Sequence, residues 1–139
     1  MIEYLLKKIF DAIPGATDLS PVETALQKID NQEDSITYTN HTMTSSGANI
    51  INAPGAGKAL RIHHIYCVNA DNYDIEFKIR NGSGGTPYFP YFLASYGGAV
   101  AQNLKRPWEL SENTALYYDY NTGTTPDGFI VIGYETVDV

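Results

Sequence analysis

The stretch NAPGAGKAL, residues 52 to 60, has the glycines and the lysine of a loop that could cradle phosphate. A Walker-type loop needs a Gly, four residues, then Gly-Lys and a Ser or Thr, so that backbone amides and a hydroxyl meet phosphate and Mg²⁺ where a helix begins. Here Asn52 stands at the first Gly position, Ala59 replaces the hydroxyl, and LRIHHIYCV reads as a strand. The pattern predicts a Pro-Gly turn that feeds Lys58 into that strand. NGSGG, residues 81 to 85, falls short of a nucleophile elbow in the same way, because Asn81 occupies the first Gly position and no helical pattern follows Ser83. A hairpin turn is expected there. His41, His63 and His64 are the only imidazoles available as a general base, and none sits in a context that suggests a triad.

Imidazole and thiolate are the usual zinc ligands, which draws attention to His63, His64 and Cys67. Adjacent histidines on a strand point to opposite faces and cannot share an ion unless a bulge intervenes. The period of two places His63 and Cys67 on one face with Ile65, as a hydrogen-bonded imidazole and a buried thiol. A further ligand from another subunit of a trimer could complete a site on a symmetry axis. In NADNYDIE, Asp71, Asp74 and Glu76 raise calcium, but the ladder, central Gly and closing Glu of an EF-hand loop are missing. A solvated hairpin tip is expected. No catalytic residue, metal or cofactor is assigned.

Aromatic side chains are the richest feature: Tyr88, Phe89, Tyr91 and Phe92 in one run, Tyr117, Tyr118 and Tyr120 in another. Such rings can form a platform for sugars or an adhesive surface for a protein, since tyrosine offers a large contact area at low entropic cost. Leu116, Tyr118 and Tyr120 share one face, as do Ile130, Ile132 and Tyr134, so many of the rings belong to a core. Tyr117 with Trp108 is the expected interface pair.

The elements that would hold these residues change character near residue 35. Before it, Ile2, Leu5, Leu6, Ile9, Phe10 and Ile13 follow the spacing of one helical face, and Pro14-Gly15 stops the helix. Ser20-Pro21-Val22-Glu23 is a capping box that starts a second short helix ending near Asn31. After it come eight alternating runs: ITYTNHTM, ANIINA, KALRIHHIYCV, YDIEFKIRN, TPYFPYFLA, GAVAQNL, ALYYDYN and GFIVIGYETV. NADN, NGSGG, SYGG and NTGTTPDG supply turns. The reading is mainly β: an eight-stranded antiparallel, jelly-roll-like sandwich at 36–139, preceded by a helical segment at 1–35 for attachment or oligomerisation.

Bulk properties narrow the function. In 139 residues with 43% hydrophobic and 18% charged side chains there is material for one real core. A net charge of −7 lacks the positive field of a nucleic-acid binder. Residues 1–35 hold three lysines against seven carboxylates, a net of −4 and so more than half of that charge. The single Cys67 excludes an intrachain disulfide. No run reaches the roughly 20 apolar residues of a membrane span, and Glu3, Lys7 and Lys8 interrupt what would be a signal peptide. A soluble, unprocessed chain is expected.

GKALRI at 57–62, RPWELSENTALYYDY at 106–120 and VIGYETV at 131–137 give the region from about Asn49 to Val137 a further aspect. It resembles the small β-sandwich proteins of tailed-phage particles: capsid decoration (cement) proteins and related head or tail accessory modules. The resemblance implies a non-enzymatic virion protein, an oligomer and often a trimer, that braces the major capsid protein or another virion protein on the outer shell. It would assemble in the host cytoplasm. The acidic helical start departs from the simplest members and leaves three roles open: docking on a shell protein, bundling on a three-fold axis, or packing over the chain's own sandwich. The expected partner interface combines the stripe Ile2, Leu5, Ile9, Phe10 and Ile13 with Trp108 and Tyr117. The alternative is a carbohydrate- or receptor-binding module of a fibre or tail adaptor, which requires exposed rings in a row with polar neighbours. A small jelly-roll enzyme would need a clustered set of histidines and carboxylates, and the histidines are too few.

Overall fold

Ile75, Phe77 and Ile79 are buried while the intervening Glu76, Lys78 and Arg80 stay partly exposed, the mark of a strand with one face in a core. Each such buried side chain contributes about 2 kcal/mol through the area it removes from water. The computed structural model describes Tyr4, Lys7, Lys8, Ser20, Glu23, Thr24, Gln27 and residues 35–43, 47–121 and 127–139. The chain forms two units, Met1–Ser35 and Ile36–Val139. In the first, the described residues from Tyr4 to Gln27 have helical backbone, and Lys8 Nζ lies 5.1 Å from the centre of the Tyr4 ring. The bounds of the two expected helices, and the stripe Ile2, Leu5, Ile9, Phe10 and Ile13, lie outside the described residues.

The second unit holds eight strands among its described residues: β1 (Thr37–Thr42), β2 (Ala48–Ile51), β3 (Lys58–Asn69), β4 (Ile75–Asn81), β5 (Pro87–Leu93), β6 (Gly98–Glu109), β7 (Leu116–Tyr120) and β8 (Gly128–Asp138). They make two four-stranded sheets, β1-β8-β3-β6 and β2-β7-β4-β5. Every pairing is antiparallel. This is the strand order of a jelly roll, in which neighbours in space are mostly distant in sequence. Between the sheets lie Leu60, Ile62, Ile65, Cys67, Ile130 and Ile132 of the first and Ile75, Phe77, Ile79, Leu116 and Tyr118 of the second. Tyr91 of β5 donates its hydroxyl to Gln102 Oε1 of β6, linking the sheets on that side.

One irregularity changes which residues face out. Ile62 pairs with Tyr134 and His64 with Gly133, so β8 spends no residue where β3 spends His63. This is a β-bulge, and it shifts the phase of the strand by one. Up to Ile62 the even positions point inward; beyond the bulge Ile65 and Cys67 do. The expectation that His63 shares a face with Cys67 is therefore corrected: Cys67 is in the core, and the His63 ring meets Glu135. On the other flank, β6 arches through Leu104–Pro107 between Asn103, opposite His64, and Trp108, opposite Ile62. That arch is why β6 continues to Glu109 beyond the run GAVAQNL.

Candidate functional site

The NAPGAGKAL loop is a turn whose amides are already engaged. Gly57 N–H donates to Glu112 Oε1 at 2.6 Å and Gly55 N–H to Asn113 Oδ1 at 3.0 Å, while Asn113 N–H donates to the Lys58 carbonyl at 2.8 Å. The donors that a phosphate loop would offer to a nucleotide bind the turn before β7 instead. NGSGG is the β4–β5 connection, with Gly82 and Gly84 in left-handed backbone.

The outer face of the β1-β8-β3-β6 sheet is organised in rows set by register. The first is Thr42, Phe129, Val68 and Ala99; the second Asn40, Val131, Tyr66 and Ala101; the third Tyr38, Gly133, His64 and Asn103. No charged residue occurs in these three rows. The fourth is ionic. Arg61 lies between Glu109, 2.9 Å from Nη2, and Glu135, 3.1 Å from Nη1, and His63 Nε2 is 3.0 Å from the same Glu135 oxygen. The hydrogen bond to Glu109, with that to Glu135 and the charge of both, raises the Arg61 pKa above its ordinary value against a smaller effect of burial.

Three rings gather where the second and third rows adjoin. The Tyr38 and His64 rings are 5.7 Å apart and those of His64 and Tyr66 6.2 Å apart, each pair within 13° of parallel. Tyr66 donates its hydroxyl to Asn103 Oδ1 at 2.8 Å, and His64 Nδ1 lies 2.8 Å from that same oxygen. His63 and His64 are both on the outer side because of the bulge, with ring centres 6.2 Å apart. Their nitrogens serve Glu135 and Asn103. Among the described residues no group of three or more His, Cys, Asp or Glu could hold a metal ion.

A second feature lies at the end of the sandwich where β3 meets β4 and β5 meets β6. Phe92 is 77% exposed, on the outer face of the β2-β7-β4-β5 sheet, and Tyr96, in the turn that follows β5, is 78% exposed. Beneath them Asn69 is fully buried: its amide donates to the carbonyls of Tyr73 (2.8 Å), Leu93 (3.3 Å) and Ala94 (3.1 Å), and its Oδ1 accepts from Asp71 N–H (3.0 Å). Tyr96 and Gly97 are then tied to the carbonyls of Asp71 and Asn69. Asp71 and Asp74, expected as a solvated tip, are used as acceptors: Asp71 takes the amides of Asn72 and Asp127, and Asp74 that of Ser95. Partial desolvation would raise the Asp71 pKa, but these amides and a Tyr73 bond outweigh it and hold the carboxyl below its ordinary range. Beside Phe92, a shallow groove of about 450 Å³ is lined by Asp74, Glu76, Ala94 and Asn121.

The expected pair Trp108 and Tyr117 is not brought together. Trp108 is on the inner side of its sheet, opposite Ile62, and stacks on Tyr88 with ring centres 4.6 Å apart. Tyr117 belongs to the other sheet, on the face away from Leu116 and Tyr118, and its hydroxyl end lies against Gly47. Phe92 is exposed, whereas Tyr91, Tyr118 and Tyr120 are buried. The Tyr38–His64 contact was missed because it joins strands far apart in sequence; only the strand order assembles it.

Comparison with known proteins gives distant likenesses. No family model matches the chain, and no curated protein matches. Among solved structures it is similar to PirA, at 12% identity over 70% of this chain and 93% of that one, with a TM-score of 0.42. It is also similar to a chain of the extra small virus particle of the giant freshwater prawn Macrobrachium rosenbergii, at 8% identity over 72% and 77%, TM-score 0.41. A third is a chain from Bacillus endospore appendages, described as disulfide-linked pili, at 14% identity over 72% and 84%, TM-score 0.35. Likenesses this distant carry no inference about function.

Proposed function

We propose that the chain is a non-enzymatic structural protein of a virion, a decoration or stabilising protein that joins the outer shell of a tailed-phage capsid as a trimer. The observation that supports this is the apolar end of the sandwich. Phe92 and Tyr96 project from a base tied by Asn69. Tyr96 has φ 54°, a left-handed backbone that non-glycine residues seldom adopt and that a surrounding structure must enforce. Exposed rings on a rigid base are the anchors protein interfaces use, because little entropy remains to be lost on docking. The groove beside Phe92 would receive a side chain of the major capsid protein or another virion protein. Repeated copies on a lattice then add avidity, and binding only the assembled shell stabilises it by mass action.

The test is the solution mass of the full chain by light scattering, alone and mixed with purified capsid shells of the virus that encodes it, for wild type and for Phe92→Ser/Tyr96→Ser. A trimer that joins shells only with both rings in place supports the reading. A monomer that ignores the shells, or a double variant that binds them as well as wild type, sinks it.

A further inference from the structure

We propose that Tyr38, His64, Tyr66 and Asn103, on the outer face of the β1-β8-β3-β6 sheet, form a platform that binds a neutral oligosaccharide. A sugar ring presents an apolar C–H face and a rim of hydroxyls, each both donor and acceptor. A matching site therefore pairs aromatic surface with polar atoms held at its edge. Both are here. Tyr38 and His64 lie side by side across the sheet, their rings closing over Gly133, and Tyr66 follows His64 along β3, the pairs near-parallel at 5.7 and 6.2 Å. Tyr38 is 57% exposed.

The polar atoms are positioned and unspent. Asn103 Oδ1 takes the Tyr66 hydroxyl and faces His64 Nδ1, each at 2.8 Å, which fixes the amide and leaves its two N–H groups available. With Nδ1 facing Asn103, His64 Nε2 is left as an acceptor, and the Tyr38 hydroxyl has no partner among the described residues. Two donors, an acceptor and a hydroxyl around one aromatic cluster suit a polyol.

Charge selects the kind of sugar. The row of Tyr38 and His64 and the two beyond it on one side, those of Tyr66 and Val68, carry none; on its other side it borders the ionic row, in which Arg61 is occupied by Glu109 and Glu135 and His63 faces Glu135. A phosphorylated or carboxylated sugar would find Arg61 already paired and would meet a chain of net charge −7. The site is open and flat, so contact is limited and binding weak per site; several copies in one assembly would make it useful.

The experiment is a ¹H–¹⁵N titration of the full chain with cellotetraose, maltotetraose and chitotetraose in turn, repeated for Tyr38→Ala, Asn103→Ala and Phe92→Ser. At least one oligosaccharide should shift the amides of Tyr38, His64, Tyr66 and Asn103 saturably. Tyr38→Ala and Asn103→Ala should each weaken this by about tenfold with well-dispersed spectra, as loss of a main anchor does, and Phe92→Ser should leave it unchanged. No saturable shift with any of the three overturns the proposal, as does unweakened binding by Asn103→Ala, whose exposed position makes it safe for folding. If Tyr38→Ala and Asn103→Ala abolish the oligomer, the face is a subunit contact and the proposal falls. The decoration reading stands or falls separately, on mass and on Phe92.

Discussion

Tyr38 on β1 and His64 on β3 close over Gly133 of the intervening β8, their ring centres 5.7 Å apart. A Cβ at Gly133 would stand 2.6 Å from His64 Cδ2, 2.9 Å from Tyr38 Cε1 and 3.1 Å from His64 Cβ. Gly133→Ala must therefore push the two rings apart. The expected cost is about 1–2 kcal/mol in chemical unfolding, typical of an added methyl in a tight site. Tyr38→Ala in the same chain should return part of it, because one of the two obstructing rings is gone. A double-mutant cycle reads the coupling directly, and strict additivity would mean that the rings do not rest on the glycine.

Asn69 bridges two turns that the sequence separates. Replacing it by Ala leaves the carbonyls of Tyr73, Leu93 and Ala94 without the donor they share, in a place from which water is largely excluded. The expected loss is about 2–3 kcal/mol, with faster amide exchange at Tyr96 and Gly97 than in the middle of β3. Uniform acceleration across the sandwich would instead show global weakening without a local role.

The eight strands are legible because apolar residues alternate within each run and Gly, Asn and Pro separate the runs. Ile75 to Arg80 can be read by eye. The strand order is not legible, since it arises from pairings between runs such as β1 with β8, and nothing local in ITYTNHTM names its neighbour. Two consequences follow for sites. Tyr38 joins His64 and Tyr66 only once β1 and β3 are placed on either side of β8. The side-chain directions of His63 and Cys67 depend on a bulge, and a strict period of two has no term for it. Trp108 illustrates a third reason: a large ring near a charged stretch reads as surface, while the arch of β6 returns it to the inner face against Tyr88. The turn role of NAPGAGKAL, by contrast, follows from what the stretch lacks.

Cys67 is fully buried in the core, and desolvation of the thiolate pushes its pKa up to about 12. The thiolate is the reactive species, so the native protein should leave a thiol reagent such as DTNB unreduced near neutral pH and react in full once unfolded. The reaction rate then reports opening of the sandwich and should rise in Asn69→Ala if the two turns hold that end closed. Rapid labelling of the native wild type would contradict the placement of Cys67.

His41 faces inward from β1, its ring edge-on to Tyr118 at 5.2 Å, and its Nε2 is buried with no hydrogen-bond partner. Burial penalises the imidazolium and lowers the pKa below the ordinary 6.5. In the unfolded chain the ring takes a proton as pH falls through that ordinary value, while in the folded chain it does so only at lower pH. Between the two the unfolded state binds more protons, so stability falls as pH is lowered and levels off below the folded pKa. Above the ordinary value both states are neutral and the effect vanishes. Melting temperature against pH should therefore slope downward below about 6.5 in wild type, and the slope should shrink in His41→Phe, which keeps a ring against Tyr118 and has nothing to protonate. Asp71, held below its usual range, acts in a separate and more acidic window. Equal slopes for wild type and His41→Phe across the weakly acidic range would show that protonation of His41 is not linked to folding.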